Sequence, residues 1–309
     1  MPGITGKKNS ERCTSWKNIV TRNIGTFSLP TKRPFSWRAL LILGLLQLVG
    51  NLASIPLLRA TGMPVEPVGA WFLWTALSLV IIGIGLYLGG RTGLGAPLLE
   101  GQIGRGVRAP WAGRAIALAF LFAILASLLL LPFNVGPENV DYPASWRVFL
   151  AAIDAGVQEE IFSRLFLVTL FAWLGAFVRR DADGRPATGV IWSSILLSGL
   201  LFGWAHIDDE VLNPAFHASV AEYALIMAVA ALLGIGLGWL YWKQGLECAI
   251  LAHFLTDAIA AGVVVPVFVS KNLFLIGVAL IGLGLIAAIS WRVLMRTGTE
   301  LKDITEAEP

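Results

Sequence analysis

The sequence predicts an all-α fold, a polytopic transmembrane helix bundle of about eight helices. Three observations predict it. The 309 residues are 56% hydrophobic and only 14% charged, whereas a soluble domain carries roughly 25% charged residues. The apolar residues gather into eight runs, most near the ~20 residues that span a bilayer. The basic residues are partitioned between alternate loops, as in a chain threaded back and forth across a membrane. A mean hydropathy of +0.74 agrees. The lipid bilayer is therefore the first partner, and a net charge of +3 gives no sign of a nucleic-acid partner. The two cysteines, Cys13 and Cys248, build neither a disulfide framework nor a Cys-based metal motif.

Residues 1–38 hold eight Lys/Arg against the single acid Glu11 and contain no apolar run. They read as a basic cytoplasmic tail rather than a signal peptide, which needs an apolar core after its basic start. The apolar runs then follow at about 39–58, 68–89, 111–132, 146–178, 189–206, 218–240, 246–269 and 273–295. The fourth is too long for an upright span and is expected to tilt or project. The prolines and Gly136 between 132 and 144 predict an irregular outer loop. The Arg179–Gly184 stretch predicts a solvated inner turn. Glycines of the sixth and eighth runs (Gly234, Gly236, Gly238, Gly277, Gly282, Gly284) are expected at close helix contacts.

Orientation comes from the charges. One set of loops carries only Arg59, Arg147 and Lys271, together with the acids Glu138, Asp141, Asp208, Asp209 and Glu210. Every other Lys and Arg except Arg164 lies in the tails, the opposite loops or the adjoining helix ends. The positive-inside rule then puts both termini in the cytoplasm, as an even number of spans requires. The expected location is the plasma (inner) membrane.

Within the fourth run stands Gln158-Glu159-Glu160-Ile161-Phe162-Ser163-Arg164. A single charge at the bilayer centre costs roughly 2.5–3.5 kcal/mol on insertion scales. Glu160 and Arg164 are i, i+4 with the acid first, the favourable ion-pair order. Glu159 points about 100° away and lacks such a partner. It is the carboxylate left for chemistry. Two further polar sets interrupt apolar runs: Phe202 to His206 in the fifth, and His253 with Asp257 in the seventh, again i, i+4. The chain has only three histidines, and two fall here, while His217 reads as ordinary surface. Asp154 and Glu247 are left outside the site. A rise of ~1.5 Å per residue puts Glu159 and His253 at similar depth and His206 nearer the outer boundary.

A carboxylate and an imidazole in a dry cavity can deprotonate a water. A second imidazole and a carboxyl can donate to a developing oxyanion. These are the parts needed for amide hydrolysis without a covalent intermediate. Glu159, His206 and His253 also match, by type, a catalytic zinc set of two imidazoles and a carboxylate. No Ser is placed with a His by a recognised motif. The competing functions are a transporter or channel that uses the buried Glu and His groups as an ion relay, and an inactive immunity or scaffold protein.

Glu159-Glu160…Arg164, Phe202…His206 and His253…Asp257, in that order on successive core spans, resemble the CAAX-processing and bacteriocin-processing (abortive-infection-type) intramembrane proteases. The family pattern takes Asn or Asp where Asp257 stands. The resemblance implies an endopeptidase acting on a membrane-associated protein or peptide. Glu159 and His206 would activate water, and His253 and Asp257 would stabilise the oxyanion. Glu160, Arg164 and Phe202 would support the site. It also implies a catalytic core over 145–270, preceded by three transmembrane helices at 39–132 and followed by a last helix and tail at 271–309. No cofactor is favoured; a divalent metal such as zinc, held by Glu159, His206 and His253, is the alternative. The chain's own end, Glu306-Ala307-Glu308-Pro309, is no prenylation signal.

Overall fold

The computed structural model describes residues 33–62, 68–134, 144–211 and 220–306. Most of the basic tail, the loop expected between 132 and 144, and His217 lie outside the described residues. Among the described residues there are eight helical rods and no strand. The all-helical bundle expected from composition is what forms. We number the rods in chain order: α1 Trp37–Thr61, α2 Val68–Thr92, α3 Arg105–Asn134, α5 Thr188–Val211, α6 Val220–Gln244 and α8 Leu273–Glu306. The fourth and seventh are composite. Rod α4 is α-helical over Ser145–Glu160, π-helical over Ile161–Val168 and α-helical again over Thr169–Gly175. Rod α7 runs through Leu246–Ile259, a π stretch Ala260–Val264, and Val265–Val269.

Seven of the eight are long and apolar enough to cross a membrane; α4 is the exception. Its polar cluster and its change of winding divide an apolar run that composition alone treats as one span. Helix ends are set by ordinary chemistry. Ser36 Oγ accepts from Ala39 N at 3.2 Å to start α1, and Gly62, at φ 73°, ends it in the left-handed conformation. The charged turn after α4 closes through Asp181 Oδ1, which accepts from Asp183 N at 2.9 Å and Arg185 N at 2.8 Å.

Rod α4 is the centre of the bundle. It packs on α1 and α7 along its first part, while its π stretch lies against α2, α5 and α6. Leu43, Ile82, Leu86, Val157, Ile161, Leu165, Val168, Ile195 and Tyr241 close the core around it. Two glycines let the neighbours in. A Cβ on Gly50 would stand 2.9 Å from Asp154 Cα, and one on Gly156 would stand 3.0 Å from Phe254 N. Close approach of α1 and α7 therefore depends on those two missing side chains.

The six glycines expected at helix contacts divide. Gly234, Gly236 and Gly238 on α6 meet Phe202, Phe122 and Ile195. Gly277, Gly282 and Gly284 on α8 meet nothing within 4 Å. Rod α8 packs chiefly on α3 and turns its remaining faces outward, so these three glycines serve no contact with the other described residues.

Between α2 and α3 the chain makes a compact loop that anchors the start of α7. Glu247 Oε1 accepts from Leu98 N and Leu99 N, both at 2.9 Å, and Leu246 N donates to Gly95 O at 3.0 Å. Arg33 Nη2 meets Glu100 Oε2 at 3.3 Å, with both side chains buried. Burial holds the Glu100 carboxyl above its ordinary range, against the opposing pull of Arg33.

Candidate active site

The three sequence motifs converge from three rods. Glu160, at the last α-helical turn of α4, is fully buried and divides its two oxygens. Oε2 lies 3.1 Å from Arg164 Nε, and Oε1 lies 2.9 Å from His253 Nδ1. The ion pair expected from i, i+4 spacing is therefore present, and it is also the bridge from α4 to α7. Arg164 is equally buried. Its Nη2 donates to Gly234 O on α6 at 3.1 Å, and its guanidinium lies 4.6 Å from the centre of the Phe202 ring. A guanidinium over an aromatic face in a dry setting gains roughly 2 kcal/mol. Phe202 in turn stands edge-on to His253, with ring centroids 5.9 Å apart, and packs against His206 at 4.6 Å. One phenyl ring thus touches a residue from each motif.

Beyond this closed hub, the site is more open. Glu159 and Asp257 are each about one-third exposed, at 37% and 33%, against 8% for His253. His253 Nε2 lies 3.8 Å from Glu159 Oε2 and 3.7 Å from Asp257 Oδ2. Both distances are too long for a direct hydrogen bond and suit one mediated by a small polar molecule. His206 Nδ1 is 2.8 Å from the Phe202 carbonyl. A carbonyl only accepts, so Nδ1 carries the hydrogen and Nε2 of the neutral ring is left as the acceptor. Asp257 is within electrostatic reach of His206 as well as His253. The shallow position expected for His206 does not keep it from this group, because α5 continues past it to Val211.

Other features could not be read from the motifs. Both composite rods change winding beside the site: the π stretch of α4 begins directly after Glu160, and that of α7 begins shortly after Asp257. Single π turns often mark functional positions, but no residue pattern announces them. Asp154 and Gln158, on the side of α4 facing α1, meet a buried polar face formed by Gln47, Asn51 and Ser54. Their i, i+4, i+7 spacing along an apolar helix was the available signal.

Among the described residues no three His, Cys, Asp or Glu converge as a metal site. Glu160 takes up one nitrogen of His253, and Phe202 O takes up one of His206. Each ring therefore keeps its Nε2, the atom that would face a water or a bound ion.

Fold and site together define a polytopic helical membrane protein with a carboxylate–imidazole centre built inside the bundle. Residues 141–259 match the family model described as type II CAAX prenyl endopeptidase Rce1-like. This is the family that the motifs resemble, and the matched segment includes every residue of the three motifs. The match supports a CAAX-type membrane protease acting on a protein or peptide. No curated protein and no solved structure matches the chain.

Proposed function

We propose that the protein is an intramembrane endopeptidase in which Glu159 and His206 activate water while His253 and Asp257 steady the oxyanion. The observation that carries this reading is the division between the two glutamates. Glu160 is neutralised within the fold by Arg164 and His253, whereas Glu159 faces His253 Nε2 from a partly open position. A water between them can give its proton to the Glu159 carboxylate or to His206 Nε2 as its oxygen bonds to the peptide carbonyl carbon. The developing oxyanion accepts hydrogen bonds from His253 Nε2–H, when that ring is doubly protonated, or from a protonated Asp257. Collapse breaks the C–N bond, and the proton taken from water passes to the leaving amine. The products are a carboxylic acid and an amine, with no covalent enzyme intermediate.

The family name supplies the substrate class proposed here, a prenylated protein ending in a Cys-aliphatic-aliphatic-X segment. The same proposal keeps both termini on the cytoplasmic side and the protein in the plasma (inner) membrane, on the strength of the basic loops. The test is cleavage of an internally quenched farnesylated peptide with that ending by the full-length protein in lipid nanodiscs. Cleavage is expected to survive a zinc chelator. It should fall by roughly 10²–10⁴-fold in Glu159→Gln, which keeps the side chain's shape but cannot take a proton. An uncleaved peptide, or full activity in Glu159→Gln, would overturn the reading.

A further inference from the structure

Gln158 precedes Glu159 in sequence but belongs to a different polar system. Its Oε1 accepts from Gln47 Nε2 at 3.3 Å, and the same nitrogen donates to Asn51 Oδ1 at 3.1 Å. The two amide hydrogens of Gln47 are thereby used, and Gln47 itself is 1% exposed. Burying an amide costs free energy unless it is fully paired, yet Gln47 Oε1 has no partner among the described residues. The network leaves that one acceptor open among the described residues. What it does is fix one end of Gln158.

The other end is open. Gln158 is exposed, its Oε1 is engaged by Gln47 of α1, and its Nε2 has no partner among the described residues and can still donate. Phe162, one turn further on the same face, is 46% exposed. Glu159 lies about 100° round the helix from Gln158 and is also partly open. Gln158, Glu159 and Phe162 thus form the uncovered strip of α4 between α1 and α7. An extended peptide lying on that strip carries carbonyls that must be hydrogen-bonded away from water, because an unpaired one in an apolar setting is costly.

We propose that Gln158, oriented by Gln47, positions the substrate: its Nε2–H donates to a main-chain carbonyl of the peptide beside the scissile bond. This rests on the endopeptidase reading and adds a binding subsite to it. Asp154 packs one turn away, where Gly50 lets α1 approach, so Gln47 reaches Gln158 only because those helices touch.

The experiment uses the full-length protein in nanodiscs and the quenched farnesylated peptide. Gln158→Met is expected to raise KM roughly tenfold, the worth of one hydrogen bond, with kcat within about twofold, because binding to ground and transition states is lost equally. Gln158→Glu still accepts from Gln47 but cannot donate, and should raise KM at least as much. Gln47→Met should give a smaller rise, and the double Gln47→Met/Gln158→Met should be no worse than Gln158→Met alone, since Gln47 acts through Gln158. Peptide affinity is read separately on the Glu159→Gln protein. There, an unchanged affinity on adding Gln158→Met overturns this inference and leaves the endopeptidase reading standing. Additive effects of the two glutamine substitutions on KM would overturn the role given to Gln47. No cleavage by the unsubstituted protein would instead overturn the endopeptidase reading, and full-rate cleavage by Glu159→Gln the role given to Glu159, while the affinity measurement still judges Gln158.

Discussion

Glu159 and Glu160 are neighbours in sequence and opposites in setting. Glu160 stands in a closed region where a guanidinium, an imidazole and an aromatic ring complete its surroundings, and it is fully buried. Glu159 is about one-third exposed, near Asp257, and its one charged neighbour within 4 Å among the described residues is His253 Nε2, at 3.8 Å. The same chemical group is a girder in one place and an unspent acceptor in the other. The difference arises because successive helical residues point about 100° apart, so one is enclosed between Arg164 and His253 while the other stays about one-third exposed.

The closed region is the more costly of the two to disturb. Glu160→Gln strands the Arg164 guanidinium in a dry site and should cost about 3–5 kcal/mol, seen as a large fall in folded yield and in melting temperature in detergent. Replacing both partners, as Glu160→Met with Arg164→Met, should recover part of that loss, because a buried pair exchanged for apolar groups is often neutral. Glu159→Gln sets the contrast: its stability should stay within about 0.5 kcal/mol of the parent's even as cleavage falls by orders of magnitude. If the two Gln variants lose stability equally, the two regions are not distinct.

A milder probe acts on the seam between the regions. Gly156→Ala places a methyl 3.0 Å from Phe254 N, so α7 must retreat from α4 and carry His253 with it. A loss of about 1–3 kcal/mol is expected, with a fall in kcat out of proportion to it. Unchanged kcat would show that the contact between Glu160 and His253 tolerates movement.

The smallest effect lies far from the site, at Glu100. Its carboxyl is held above the ordinary range by burial, so the folded state favours its protonated form. The sign follows: this contribution to stability is complete below the ordinary carboxylate value and is lost as pH rises through the raised one. Thermal stability in detergent should therefore slope downward over that window, and Glu100→Gln should flatten the slope. A slope that persists in Glu100→Gln must come from another group.

Much of the bundle was legible in the chain. Helix number, the ion pair from Glu160 to Arg164, and the order of the polar motifs follow from periodicity and from the cost of charge in lipid. What escaped was of two kinds. The π stretches of α4 and α7 change the winding without changing the composition, so a run such as Ile161–Val168 reads as ordinary apolar helix. The polar face of α1 escaped because Gln47, Asn51 and Ser54 carry no charge and only slightly lower an otherwise apolar span. The exposed glycines of α8 erred the other way, since small residues permit contact but do not reveal whether a partner is there.

The π stretch of α4 has a mechanical consequence. Thr169 Oγ1 reaches back to Arg164 O at 3.3 Å and also meets the Tyr241 hydroxyl at 2.7 Å, pinning the wide turn at its far end. A π turn holds surplus chain that an α-helix would spend on advancing. That slack works like a splice in a shaft. It sets the phase between the half of the rod that bears the glutamates and the half that ends at Gly175. Deleting one residue there would draw the splice tight and rotate one half against the other by about 100°. Leu165 and Val168, now fully buried, could not then stay in the core while Glu159 kept its outlook.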